Sequence, residues 1–246
     1  MATTGLMTFN PDLGDLVEEA FERAGLEFRS AYDFETARRS LNYITMEWQN
    51  RGINMWTIDQ QTITPTVVGT ETYDTAAGTI AIMDVSLRTD AGELTSQADY
   101  MLSRISKDTY LSIPNKLTRA RPLQYMVDRI DVGSTVPTLT FWPVPDLTTY
   151  QFVYNRMRRI QDSTVSATAS NALNETDQGV QFNMDTPSRF LPALVAGLAY
   201  HVAMKKPEAA QRIQMLKDMY EEQYRLAADE DREKAPVRFV PDPGIY

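Results

Sequence analysis

No cysteine occurs among the 246 residues of this chain. Composition alone therefore excludes a disulfide framework, a thiolate zinc site and a cysteine nucleophile. It is also compatible with the cytosol. Histidine is nearly as scarce. His201 stands alone among apolar neighbours, with no His or Cys one helical turn away, and a satisfied core histidine fits that setting better than a metal ligand or a base. No apolar run reaches the ~20 residues that span a bilayer. The most apolar stretch, "FLPALVAGLAYHVAM" (Phe190–Met204), keeps a helical stripe and suits a buried helix. The opening "MATTGLMTFNPDLGDL" has neither a basic n-region nor an apolar h-region, so no secretory leader is expected there. The phosphate-cradling G-x-x-x-x-G-K and G-x-G-x-x-G loops and the G-x-S-x-G elbow are missing. Acidic pairs such as Glu18-Glu19 and Glu221-Glu222 lie among polar helical neighbours, as on a solvated face. Asp128 and Asp131, three apart in an expected strand, point to opposite faces. The sequence predicts no active site, no metal, no cofactor and no membrane association.

What is present is the balance of a soluble globular protein, 43% hydrophobic and 23% charged. The length suits one large or two small domains of roughly 100–200 residues each. The net charge of −9 is unevenly placed. Between Asp99 and Ile160 nine basic residues (Arg104, Lys107, Lys116, Arg119, Arg121, Arg129, Arg156, Arg158, Arg159) face five acids, a balance of +4 that leaves −13 elsewhere. A solvated surface is the plain reading. An assembling subunit whose opposite poles meet in neighbouring copies is the sharper one.

Periodicity divides the chain. Asn10-Pro11-Asp12 is a helix start with proline at the first helical position. Leu13, Leu16, Val17, Ala20, Phe21 and Ala24 follow on one face and Gly25 stops the helix. A second helix is predicted from near Asp33, striped by Phe34, Ala37, Leu41, Ile44 and Trp48 and closed by a left-handed Gly52. The short loop between the two predicts an antiparallel pair. From Ile53 the period becomes two. Met55–Thr64, Thr79–Thr89, Leu123–Asp131, Thr138–Pro145 and Tyr150–Arg158 alternate, separated by turn signals at Gly69, Gly78, Gly92, Gly133 and Pro145. An antiparallel sheet or small sandwich is expected, interrupted by one helix at about 96–113 with Met101, Leu102, Ile105 and Tyr110 inward. Residues 161–185, rich in Ser, Thr, Asn and Ala, form a protruding loop or arm. Thr186-Pro187 opens a helix striped by Phe190, Leu194, Leu198 and Val202. A last helix runs from about Pro207 to about Arg232, with Ile213, Leu216, Met219 or Tyr220, and Tyr224 inward.

The predicted fold is therefore α+β. A helical bundle from residues 10–52 and 186–234 carries an inserted antiparallel β domain at 53–160, and an extended C-terminal arm occupies 235–246. Gly52 marks the joint, with Trp48 and Trp56 expected to pack across it. Arg156, Arg158 and Arg159 interleave with Tyr150, Phe152 and Tyr154 as a phosphate-binding sheet would. The net negative charge argues against a DNA-gripping role for them.

In order along the chain, "ARRSLNYITMEWQNRGINMWTIDQQTITP" (Ala37–Pro65), "LSRISKDTYLSIPNKLTRARPLQYMVDR" (Leu102–Arg129), "PTLTFWPVPD" (Pro137–Asp146) and "FLPALVAGLAYHVAMKKPEAAQRIQMLKDMYEEQYRLAADEDRE" (Phe190–Glu233) resemble the head-to-tail adaptors of tailed bacteriophages. These are the head-completion, packaged-DNA stabilisation or tail tubular protein A-like subunits. The resemblance covers most of the chain; the loop 161–185 and the far N-terminus match nothing in it. It implies a non-enzymatic structural subunit in the virion, made in the host cytoplasm. Copies of it would form a dodecameric ring docked on the portal protein, joined to a tail nozzle or next tail component. DNA would pass through the ring without sequence-specific binding, during retention and ejection. Carried onto this chain, Pro236, Val237, Arg238, Phe239, Val240, Ile245 and Tyr246 would form the portal-binding arm, with Phe239 and Tyr246 as anchors. Glu221 and Glu222, with Arg156, Arg158 and Arg159, would face the channel or neighbouring subunits. The rival readings are a virion-associated enzyme and a DNA-binding module.

Overall fold

The computed structural model of the chain describes residues 9, 11–52, 55–65, 67–129, 136–163 and 184–232. Its elements, in chain order, are α1 (Leu13–Ala24), α2 (Ala31–Arg51), β1 (Ile58–Ile63), β2 (Thr72–Asp74), β3 (Thr79–Thr89), β4 (Ala98–Met101), β5 (Ser103–Arg104), α3 (Lys107–Leu111), β6 (Gln124–Asp128), β7 (Thr138–Trp142), β8 (Gln151–Arg158), α4 (Leu191–Ala203) and α5 (Ile213–Glu230). The fold is mixed α+β. The chain divides into two compact units, Met1–Met55 with Gln161–Tyr246, and Trp56–Ile160.

In the helical unit, Asp12 caps α1 by accepting the Asp15 N–H at 2.8 Å, so Pro11 precedes the cap instead of occupying the first helical position. The whole predicted stripe from Leu13 to Ala24 is buried, and Gly25 ends the helix at φ 72°. α2 starts earlier than its predicted position because Ser30 supplies the cap, accepting the Asp33 N–H at 3.2 Å. Ala37, Leu41, Ile44 and Trp48 are buried, and Phe34 is half-buried. Gly52 does not close α2 in the left-handed helical region; it stands at φ 155°, ψ −168°.

The expected pairing of α1 with α2 gives way to a different arrangement. Both pack chiefly on α4, and α5 packs there too. Ten of the thirteen residues of α4 are buried, from Leu191 round to Ala203. A helix apolar on nearly every side can only be the centre of its unit. α4 begins after a 3-10 turn at Ser188–Phe190, and α5 after another at Pro207–Arg212, both later than the proline signals suggested. On α5 the inward residue is Tyr220 rather than Met219, which is exposed.

The second unit holds two four-stranded sheets among the described residues, ordered β1-β8-β3-β4 and β2-β7-β6-β5. The pairings are antiparallel except for β5 with β6, which run parallel at Ser103↔Gln124 and Arg104↔Tyr125. A single core of Ile82, Val85, Leu87, Leu102, Tyr125, Leu139, Phe141, Tyr150, Phe152 and Tyr154 draws on both sheets. Phe141 of β7 stacks on Phe152 of β8 with centroids 3.7 Å apart. Burying each phenyl ring contributes about 2–3 kcal/mol. β8 lies between β1 and β3, and its consecutive residues Phe152, Val153 and Tyr154 are all buried, so it buries side chains on both faces.

The helix predicted at about 96–113 is two short strands, β4 and β5, followed by one helical turn. Ala98–Met101 pairs with β3, Leu87 opposite Tyr100, and Leu102 donates its N–H to the Val85 carbonyl at 2.9 Å. Asp99 and Arg88, opposite each other in this register, form a two-point ion pair at 2.7 and 2.8 Å. Only Leu102 and Tyr110 of the expected apolar set are buried. What survives is one helical turn, α3, capped by Ser106 through the Thr109 N–H.

Candidate interaction surfaces

The helical unit is locked by an aromatic cluster around Trp48. This residue is fully buried, and its indole N–H donates to the Tyr220 hydroxyl at 2.9 Å. The Phe190 and Tyr224 rings lie 5.4 and 5.7 Å from it, centroid to centroid. Arg51 closes the cluster from outside, its guanidinium 4.7 Å from the Tyr224 centroid and 5.1 Å from that of Tyr220. Two hydrogen bonds of 2.7 Å tie Arg51 to Glu221, and Glu47 accepts from it as well. The Arg51 hydrogen bonds hold the Glu221 carboxyl below the usual range, and Glu221 in turn raises the guanidinium pKa. Burial pushes the Tyr220 phenol up and the His201 imidazole down. His201 is half-buried, its Nε2 3.8 Å from Glu47, in the setting expected of a core histidine.

Gly197 of α4 makes the cluster geometrically admissible. A β-carbon there would stand 2.8 Å from Cε2 of Tyr220. The missing side chain is what lets α4 and α5 approach. Nothing local to Gly197 signals this; the partner lies on another helix.

At the other end of the unit, the two lysines after α4 do more than complement its dipole. Lys206 bonds the Asp33 carboxylate at 3.0 Å. Lys205 donates to the Ser40 hydroxyl at 2.5 Å and the Thr36 carbonyl at 3.2 Å. The Lys206 hydrogen bond holds Asp33 below the ordinary carboxylate range. Burial, with Arg39 nearby, lowers the Lys205 ammonium. These cations border a groove of about 500 Å3 whose other walls include Phe21, Tyr32 and Tyr43. A second groove, between α1 and the start of α4, is lined by Phe9, Pro11, Leu16, Leu191, Pro192 and Val195 with Asp15, Glu19, Arg23 and Ser188 at its rim. The outward face of α5 carries Asp218, Glu222, Arg225 and Asp229.

The predicted site residues fall in different places. Glu222 is exposed, while Glu221 is engaged by Arg51. Arg156 is a correction. Its side chain is buried in the β unit and saturated, bonding Asp59 at 2.7 and 3.1 Å, the carbonyls of Ala76 and Ala77 at 3.0 and 2.8 Å, and Thr79 Oγ1 at 2.9 Å. The Arg156 hydrogen bonds hold the Asp59 carboxyl down. Tyr150, Phe152 and Tyr154 are buried in the sheet core, so they offer no platform for stacking bases. Arg158 is half-buried and Arg159 exposed. Trp48 belongs to the core of the helical unit, and Trp56 begins the β unit in a 3-10 turn. The arm residues Pro236–Tyr246 and Asp131 lie outside the described residues, as do residues 164–183 of the loop. The loop's two ends are tied together by the Gln161 N–H on Asp185 at 3.0 Å, and Ser163 is anchored on Asn42 of α2 at 2.8 Å.

Among the described residues no group of three His, Cys, Asp or Glu side chains could hold a metal ion, and no helix is long and apolar enough to cross a membrane. Compared with known proteins, residues 11–240 match the family model described as SU10 adaptor protein. No curated protein matches the chain.

Proposed function

The chain belongs to the SU10 adaptor protein family, a family of structural proteins of the bacteriophage virion, and on that premise we propose that it is the ring-forming subunit of a head-to-tail connector. In this reading a dodecameric ring docks on the portal protein, joins it to the tail nozzle or next tail component, and helps retain packaged DNA. The observation that carries it is the extent of the family match, nearly the whole chain rather than one motif. The helices contributed by both ends of the chain form the bundle that carries the inserted β domain, and Gly52 to Trp56 is the joint between them.

The segment Pro236–Tyr246 is the portal-binding arm. It contains three prolines and five large apolar residues, Val237, Phe239, Val240, Ile245 and Tyr246. Its prolines reduce the entropy lost when it orders on a partner, and its apolar residues gain burial only when a partner supplies the surface. Glu222 is a contact to the neighbouring subunit, and the net negative charge of the chain lets DNA slide past instead of gripping it. The DNA-binding alternative is weakened by Arg156 and its aromatic neighbours, which are occupied inside the β unit.

Deletion of Pro236–Tyr246 tests the arm. Far-UV circular dichroism and thermal midpoint are expected to stay as in the full chain, while co-sedimentation with the portal ring is lost. Retained docking would overturn the assignment.

A further inference from the structure

Two helices of the same unit present outward faces that neither helix uses among the described residues. On α2, Tyr32, Arg39, Tyr43 and Met46 recur at steps of seven, four and three residues, which aligns them in one stripe. Tyr32 is 71% and Tyr43 64% exposed, unusual for tyrosines on a helix with a buried opposite face. Lys205 extends the stripe with a second cation beside Arg39. On α5, Met215, Met219 and Leu226 recur at steps of four and seven and are 59%, 41% and 53% exposed. Along their flank run Asp218, Glu222, Arg225 and Asp229, at steps of four, three and four. The α2 stripe spans about 21 Å and the α5 apolar stripe about 17 Å, at 1.5 Å rise per residue.

The two faces are complementary in chemistry and length. One offers aromatic and cationic groups; the other offers flexible methionines and a net acidic border. They also share no residue, since the groove beside the α2 stripe is walled by α1, α2 and the end of α4, and the acidic border belongs to α5. One copy can therefore present both at once, which is the requirement for a head-to-tail contact that closes into a ring. Resting on the ring reading above, we propose that the α5 face around Met219, Glu222 and Leu226 seats on the α2 face around Tyr32, Arg39 and Tyr43 of the neighbouring copy. The occupant is a second copy rather than nucleic acid. The β unit has ten basic and eleven acidic residues, so −8 of the total −9 falls on the helical unit, and a phosphate backbone would meet that field. Two adjacent cations, Arg39 and Lys205, gain a counter-charge when Asp218 and Glu222 arrive.

The absence of cysteine gives a direct test. Full-length Tyr43→Cys and Glu222→Cys chains are mixed, with the portal ring present, and oxidised; any 43–222 disulfide then joins two different copies. Glu18→Cys, exposed on α1, replaces Glu222→Cys in the control. The 43–222 product is expected to form at least ~tenfold faster than the 43–18 product, since proximity sets the rate. Light scattering of the unmodified chain with the portal ring is run in parallel. Equal rates with a ring assembled overturn this contact and leave the ring reading standing. Equal rates with no assembly overturn both. If duplex DNA protects the thiol of the Tyr43→Cys chain from alkylation, with no 43–222 preference, the α2 face belongs to nucleic acid instead.

Discussion

Gly197→Ala sets two effects of opposite sign against each other. Alanine in a helix interior is favoured over glycine by about 1 kcal/mol. Against this, the new methyl would stand 2.8 Å from Cε2, 3.0 Å from Cδ2 and 3.4 Å from Cζ of Tyr220. The ring has little freedom to step aside, because its hydroxyl accepts from the Trp48 indole and its plane lies among Tyr200 and Tyr224. Overpacking of a pinned side chain belongs at the upper end of its range, about 3 kcal/mol. The clash wins, and the substitution is expected to destabilise the helical unit by about 2 kcal/mol. In a Tyr220→Ala background the methyl meets empty space, and the same substitution should stabilise by about 1 kcal/mol. The coupling between the two sites is then about 3 kcal/mol. Urea unfolding followed by Trp48 fluorescence, with Trp56 and Trp142 replaced by Phe, reads the helical unit alone. Stabilisation by Gly197→Ala in both backgrounds would refute the close approach of α4 and α5.

Arg156→Met should destabilise the β unit by about 2–3 kcal/mol, less than for a wholly buried pair because Asp59 is a third exposed. Because the Asp59 pKa is lowered in the folded state, the contribution of this pair is complete above the ordinary aspartate value of about 3.9 and is lost as pH falls through the folded value. Urea midpoints of the parent should therefore drop in that acid range and those of Arg156→Met should drop less; parallel profiles would contradict the pairing. Trp48→Ala removes the largest buried side chain of the helical unit and should cost about 3–5 kcal/mol by urea denaturation, and a cost under about 1 kcal/mol would remove Trp48 from the core.

The parts of the fold that were legible in the sequence are those fixed by neighbours in the chain. The α1 stripe, its Gly25 stop and the extent of β3 rest on local spacing and turn chemistry, and the structure reproduces them. The Ser96–Pro114 segment misleads for the same reason. Its apolar residues happen to fall at helical steps, while the strand at Ala98–Met101 is decided by the edge of β3. Arg156 looked like part of a basic cluster because its partners are remote in sequence: Asp59 comes from β1 and the carbonyls from the Ala76–Ala77 turn. Gly197 and Tyr220 lie on different helices, and neither position announces the other. The outward stripe of α2 could have been found by asking which apolar residues the core stripe leaves over; Tyr32 and Tyr43 are such residues.

The central claim is that this chain is a connector subunit, and the most direct measurement of it is mass in solution. Light scattering would be recorded for the 27.9 kDa chain alone and mixed with its candidate portal ring. The account predicts a complex with the mass of the portal ring plus a full ring of this chain. A chain that keeps its own mass beside the portal at every ratio would contradict it.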